Sequence, residues 1–387
     1  MLIGVLLGRW AKKLHGNHMG RDRQMARGQV RSGRRGAGDP QAAVPGGADV
    51  REVVVVGPGP VAAGIGAWFS ADGTRPVRML DDLPSSGPEA ALAGAGPLVV
   101  VAHRGDLEAS WAVPAARRRA EVVDMVERAL AAARSACVAH VVVVTSAMVH
   151  GAAPDRAVIT DDAPVMYPAG GLPEGVVGDL LAVEEVLARF ARRSLPLVTV
   201  LRPAALVGPG IDTIMTRHFE APRLLAVRGV ARPWQFVHVD DLAAAVALVL
   251  DAGLTGPFTV GVPGPLSAHD VEAAAGLRRI ELAAATAFGT AERLHRVGAL
   301  PAPSSELAYA VYPWTVDAGG LLASGWEPQR SSAECLDVLL EGVQGRITLA
   351  GRRVGARDAA ALGAAGAAVA LIGTAAVWRR AQTRRRG

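Results

Sequence analysis

Four consecutive valines, Val53–Val56, run directly into Gly57-Pro58-Gly59-Pro60, and the residues that follow, 61–69, suit a helix. A β-branched run favours an extended strand. The two glycines allow a tight reversal that side chains resist, and the fixed φ of Pro60 suits the first turn of a helix. A second apolar stretch, Val-Arg-Met-Leu, then ends at Asp81 and Asp82. Strand, glycine turn, helix, strand is the opening unit of a parallel sheet. The chain repeats the alternation. Continuous apolar runs at 97–103, 140–146 and 197–203 predict strands buried on both faces, with helices predicted between them at 114–136 and 178–193. The expected fold is α/β, a doubly wound parallel sheet of the Rossmann type. A smaller C-terminal lobe, mainly within 204–345, carries a helix at 242–250.

With 387 residues, half of them apolar and a fifth charged, the chain has enough material for a large core. Lys and Arg dominate residues 1–51 and 346–387, whereas Asp and Glu outnumber them in 52–345. An acidic folded region excludes a nucleic-acid-binding groove there and places any attraction to anions at the ends. Residues 1–51 are Arg/Gly-rich and aperiodic and read as a disordered basic leader; Met19 or Met25 serves equally as a start. The opening MLIGVLLGRW lacks a basic n-region and a cleavage site, so the folded domain is expected in the cytoplasm. Residues 359–378 carry no charge and are flanked by arginines, a length that just spans a bilayer. This tail is the expected attachment to the inner face of the cell membrane, and its small residues Gly363, Ala367 and Ala370 are a candidate homodimer seam. Cys137 and Cys335 have no spacing that predicts a disulfide or a zinc site.

The glycine turn matches G-x-G-x-x-G/A at Gly57, Gly59 and Ala62, a pattern that aims helix N-terminal amides at a diphosphate. Asp81, at the end of the next strand, is placed to accept hydrogen bonds from a ribose. Its charge opposes a 2′-phosphate, so NAD is the expected cofactor, with NADP not excluded. The block resembles that of the extended short-chain dehydrogenases/reductases, the NAD-dependent epimerase/dehydratase family, in which Pro60 and Ala63 fall at the second and third glycines.

Further blocks carry the same resemblance. HVVVVTSAMVHG is similar to the family's strand ending in S-S-x-x-V-Y-G, which implies Ser146 as the catalytic serine, Thr145 beside the cofactor and His150 in place of a tyrosine. LRPAALVGPG is similar to L-R-x-x-x-V-x-G-P and implies cofactor contacts at Pro203, as the end of the third strand does at Ala102. WQFVHVDD resembles F-I-H-V-x-D, with His238 facing the substrate and Asp240 and Asp241 starting a helix. Gly325, Trp326 and Pro328 match the family's closing signature. Arg202, with Arg223, Arg228 and Arg232, is a candidate grip for an anionic substrate.

The family's Tyr-x-x-x-Lys pair is missing. Val176 and Leu180 stand at its two positions, and no lysine follows Lys13. Tyr167 has Gly171 four residues on and is no substitute; His150 is the better candidate for moving a proton. The resemblance implies an NAD(P)-binding protein acting on a nucleotide-sugar-like or other small carbinol substrate, with degenerate catalytic residues. Two alternatives stay open: a non-catalytic NAD(P) or metabolite sensor or membrane scaffold, and an interaction protein with no cofactor.

Overall fold

The structure, a computed structural model, describes residues 51–190, 195–298 and 300–344, and the backbone of 347–349 and 352–354. The expected leader, apart from Arg51, and the apolar stretch 359–378 with its membrane and dimer roles lie outside the described residues. Among the described residues no helix is long and apolar enough to cross a membrane.

Six parallel strands form the central sheet. They are β1 (Val53–Val56), β2 (Val77–Leu80), β3 (Leu98–Val101), β4 (His140–Val144), β5 (Leu197–Pro203) and β9 (Gly256–Val260), in the spatial order β2-β1-β3-β4-β5-β9. Every residue of β1, β3 and β4 is buried, which is why those runs show no polar alternation. Edge strand β2 is only partly covered.

Helices α1 (Pro60–Asp72) and α6 (Val239–Asp251) pack together on one face. On the other face α3 (Ala115–Ser135) packs on α4 (Val176–Phe190). Pro60 occupies the first turn of α1, and Gly73, with φ 66°, ends it in the left-handed conformation. Val61, Ala62, Ile65, Gly66 and Phe69 form its buried stripe, the spacing of a helix lying on a sheet. Between β3 and α3 lies a short helix, α2 (Leu107–Ala112), which the sequence pattern did not predict.

The chain leaves β1 toward β2 on one side and returns to β3 on the other. Strand order therefore reverses between β1 and β3, and the crevice for a ligand lies beyond their C-terminal ends. Only β2 stands outside β1, so this sheet has the 2-1-3-4-5 order rather than the order 3-2-1-4-5-6 of dinucleotide dehydrogenases.

Within 204–344, β9 returns to the main sheet. The remainder of 204–344 builds two small parallel pairs. β6 (Ala205–Val207) lies beside β8 (Phe236–His238), and β7 (Leu224–Val227) beside β10 (Arg279–Leu282). The helices α5 (Ile214–Phe219), α7 (Ala268–Ala275), α8 (Ala284–Arg296), α9 (Ser304–Val311), α10 (Gly319–Ala323) and α11 (Ser332–Val343) accompany them. The basic tail opens with an antiparallel hairpin, β11 (Ile347–Leu349) and β12 (Arg352–Val354). Both cysteines are free.

At the crevice, Gly57 has φ 144°, and a Cβ there would stand 2.6 Å from the Val101 carbonyl oxygen. Alanine at this position would combine a disfavoured φ with a backbone clash. Gly57→Ala is expected to destabilise the protein by more than about 1 kcal/mol. Urea unfolding of the purified variant measures the loss, and an unchanged midpoint would refute this packing.

Candidate functional site

The first candidate region is the turn from β1 into α1. Gly59 has φ 97°, and a Cβ on it would lie 2.7 Å from the carbonyl oxygen of Arg104. That same oxygen accepts a hydrogen bond from Val61 N–H at 3.2 Å. Pro60 has no N–H to offer. The Arg104 carbonyl thus stands where an anionic oxygen would meet the N-terminus of α1. The loop carrying it is tied down: Asp212 N–H donates to Gly105 O at 2.6 Å and Leu107 N–H to Asp212 O at 3.0 Å. Ala62 is buried in the helix face. Asp81 lies exposed past the end of β2, beside the strand reversal. The turn geometry and Asp81 fit the adenosine half of a dinucleotide. The diphosphate half fits only if Arg104 gives up the Val61 amide.

Close helix packing, the third glycine's role in such turns, belongs here to Gly64. A Cβ on Gly64 would stand 2.6 Å from Val239 Cγ2 on α6. The motif register points to Ala62 or Ala63 instead, because contact with α6 leaves no local trace in the sequence.

The second region is the tip of β4. Thr145 is fully buried and donates from Oγ1 to Glu184 Oε1 at 2.9 Å. Glu184, on α4, also accepts from Arg202 Nε at 2.9 Å and Nη2 at 2.7 Å. This bidentate pair is buried on both sides. Arg202, the candidate grip for a substrate anion, thus commits its Nε and Nη2 edge to a carboxylate of its own protein. Arg232 is likewise engaged, donating to Tyr309 O and Tyr312 O and lying 3.4 Å above the Trp234 ring.

Ser146 Oγ accepts from Met148 N–H at 3.3 Å and donates to Pro203 O at 3.4 Å. The hydroxyl caps the short 3₁₀ turn Ala147–His150. His150 is fully buried; its Nδ1 lies 3.0 Å from Pro164 O, and its Nε2 has no partner among the described residues. Burial pulls the His150 pKa down to about 4, so the ring is neutral near pH 7. Tyr167 is exposed at its surface, and partial desolvation with the nearby Glu184 charge pushes its pKa up to about 12. Val176 and Leu180 face the same end of the sheet and carry no exchangeable proton.

His238 is buried, and its Nδ1 accepts from Asp240 N–H at 3.1 Å as the cap of α6. The sequence pattern assigns that capping role to Asp240 and Asp241. Asp241 instead accepts from Gln329 N–H at 2.7 Å, while Trp326 Nε1 donates to Asp241 O at 3.0 Å. The Gly-Trp-x-Pro segment is therefore an anchor for the start of α6.

Sequence reasoning missed a third group. Arg118, Asp179 and Glu306 are buried and border a cavity that also touches Ala102, His103 and Met148. Arg118 sits in a charged helical stretch that reads as surface, Glu306 is the lone charge of its helix, and Asp179 stands among apolar neighbours on α4. Among the described residues no cluster of His, Cys, Asp or Glu forms a metal site.

The His150 environment has a direct test. Its imidazole resonances should titrate near pH 4 in NMR spectra; titration near the ordinary histidine value of about 6.5 would show an accessible ring able to exchange protons at neutrality.

No protein-family model matches the chain. The uncharacterized proteins Rv0501 of Mycobacterium tuberculosis H37Rv and Mb0513 of Mycobacterium bovis are each 28% identical over 154 residues, 39% of this chain. The match spans 40% of the length of these relatives. Among solved structures, gox2253 superposes with TM-score 0.60 at 19% identity, over 78% of this chain and 100% of that one. MoeE5 in complex with UDP-glucose and NAD gives TM-score 0.55 at 20% identity, over 76% and 98%. The UDP-glucose 4-epimerase of Thermus thermophilus, in complex with NAD, gives 0.52 at 18%, over 76% and 99%. About three quarters of the chain thus shares its fold with these structures, including the NAD-bound MoeE5 and UDP-glucose 4-epimerase.

Proposed function

We propose that this chain is a nucleotide-binding protein on an epimerase/dehydratase scaffold, which holds NAD beyond β1 and β3 without turning it over. One observation carries the reading: the α4 positions that would move the proton are Val176 and Leu180, and at the tip of β4 the polar side chains Thr145, Glu184 and Arg202 are closed on one another. Bound NAD would supply hydride chemistry. This chain's own residues would bind it, with Asp81 taking the ribose hydroxyls, Gly57 and Gly59 admitting the backbone turn, and Ala102 and Pro203 lining the way toward β4. Ser146 and His150 would line that end without a proton relay, since both hold backbone carbonyls and the ring is neutral.

The structures with UDP-glucose and NAD support a nucleotide sugar as the second ligand class. The engagement of Arg202 and His238 with protein groups counts against its conversion. The Arg104 carbonyl on Val61 favours the other reading, an interaction protein whose diphosphate cradle is filled by its own backbone.

Calorimetric titration with NAD⁺, NADH, NADP⁺ and NADPH decides between them. The NAD pair is expected to bind more tightly than the NADP pair. Asp81→Ala should weaken NAD binding about tenfold, the loss of about 1.4 kcal/mol. No change in absorbance of the nicotinamide is expected with UDP-glucose present. Absence of heat from all four cofactors at millimolar concentration would reject the proposal in favour of the filled cradle; steady reduction of NAD⁺ would restore the enzyme.

A further inference from the structure

The cavity beneath the β3–α2 loop contains polar atoms from three elements that are unpaired among the described residues. Arg118, on α3, donates Nη1 to Ser110 O at 2.9 Å and to Val113 O at 3.3 Å, and its Nε meets Asp179 Oδ2. Its Nη2 has no such partner. Glu306, on α9, accepts Val176 N–H at Oε1 at 2.6 Å, and its Oε2 is unpaired. His103, on the loop, has an unpartnered Nδ1. These side chains are 6%, 1% and 7% exposed and border one cavity. Buried polar atoms are almost always hydrogen-bonded, and leaving one unpaired costs about 1–3 kcal/mol. All three belong to residues that border one space, and a ligand there would have to answer them.

We infer that this cavity is a binding site for a small 2-hydroxy monocarboxylate, held by Arg118, Glu306 and His103. Its volume of about 40 Å³ leaves room for only a few heavy atoms. Arg118 and Arg119 both face Asp179, which answers one of them, while the other aspartates on the lining are engaged elsewhere, Asp212 with Arg217 and Asp106 as the cap of α2. Glu306 answers the other only in part near neutrality, because burial pushes its pKa up to about 7, and its protonated form prevails below that pH. A ligand carboxylate accepts from Arg118 Nη2 on one oxygen and from the protonated Glu306 carboxyl on the other. Its hydroxyl donates to His103 Nδ1, and burial keeps that ring neutral by lowering its pKa to about 4. Ala102, Met148 and Leu180 supply the apolar wall. The site uses neither Asp81 nor the β1 turn, so glycolate binding without cofactor and NAD binding fail independently, although Ala102 borders both.

The test uses the full chain without cofactor and glycolate as the probe, with saturation-transfer NMR and thermal unfolding as readouts. Glycolate is expected to bind saturably and raise the unfolding temperature, and methylammonium to do neither. Glu306→Gln keeps an acceptor for Val176 N–H and a donor for the ligand, so its affinity should stay within about threefold of wild type. Arg118→Met should lose at least about tenfold, the weight of one charge-assisted contact. Since Arg118 also holds Asp179, Ala102→Leu provides a second test: it fills the cavity without altering charge and should abolish binding. No glycolate binding by the wild type, or unchanged affinity in Ala102→Leu, overturns the inference and leaves the cavity to water.

Discussion

The backbone of Gly57-Pro58-Gly59 passes so close to the end of β3 that no side chain fits between them. A Cβ on either glycine would meet a carbonyl oxygen of Val101 or Arg104. That approach sets where α1 begins, and with it the line α1 follows across the sheet to α6. Gly64 then allows α1 to seat against Val239. Helix position, the strand reversal between β1 and β3, and the crevice above them all follow from this passage. The fold retains the geometry that makes a helix N-terminus attractive to anions, yet a carbonyl of its own chain already sits there.

A comparable substitution has taken place at the tip of β4. A scaffold of this kind must neutralise whatever polar groups remain when a proton relay is absent. Here Glu184 and Arg202 form a buried bidentate pair, with Thr145 donating to the same carboxylate. Burying one charge alone costs several kcal/mol, so each member requires the other. Together they lock α4 to β4 and β5. Thr145, Glu184 and Arg202 hold one another, and the buried polar atoms without a partner among the described residues include Arg118 Nη2, Glu306 Oε2 and His103 Nδ1.

Much of the architecture was legible because it rests on local rules. The valine runs of β1, β3 and β4 could only be strands covered on both faces, and Pro60 could only begin a helix. Asp81 at the end of β2 was legible for the same reason. Other features had no local signature. The assignment of β9 to the main sheet depends on pairing with β5, more than fifty residues earlier. The capping role of His238 is set by a ring nitrogen that the pattern assigns to a substrate, and the clasp of Trp326 on Asp241 joins segments over eighty residues apart.

Residue type and spacing by themselves determined that this chain builds a doubly wound parallel sheet, that a glycine turn opens its first helix, and that the tyrosine–lysine pair is gone. Each of these is a property of neighbours in the chain, set by backbone freedom, side-chain shape and the chemistry a residue possesses. Only the tertiary structure decided which groups are available. Arg202 and His238 are polar residues at the positions the resemblance marks, and folding engages Arg202 with Glu184 and His238 Nδ1 with Asp240 N–H. Arg118 and Glu306 look like surface charges in their helices, yet folding buries them and leaves a donor and an acceptor unmatched among the described residues. Availability depends on desolvation and partners in three dimensions, and no local pattern carries that information.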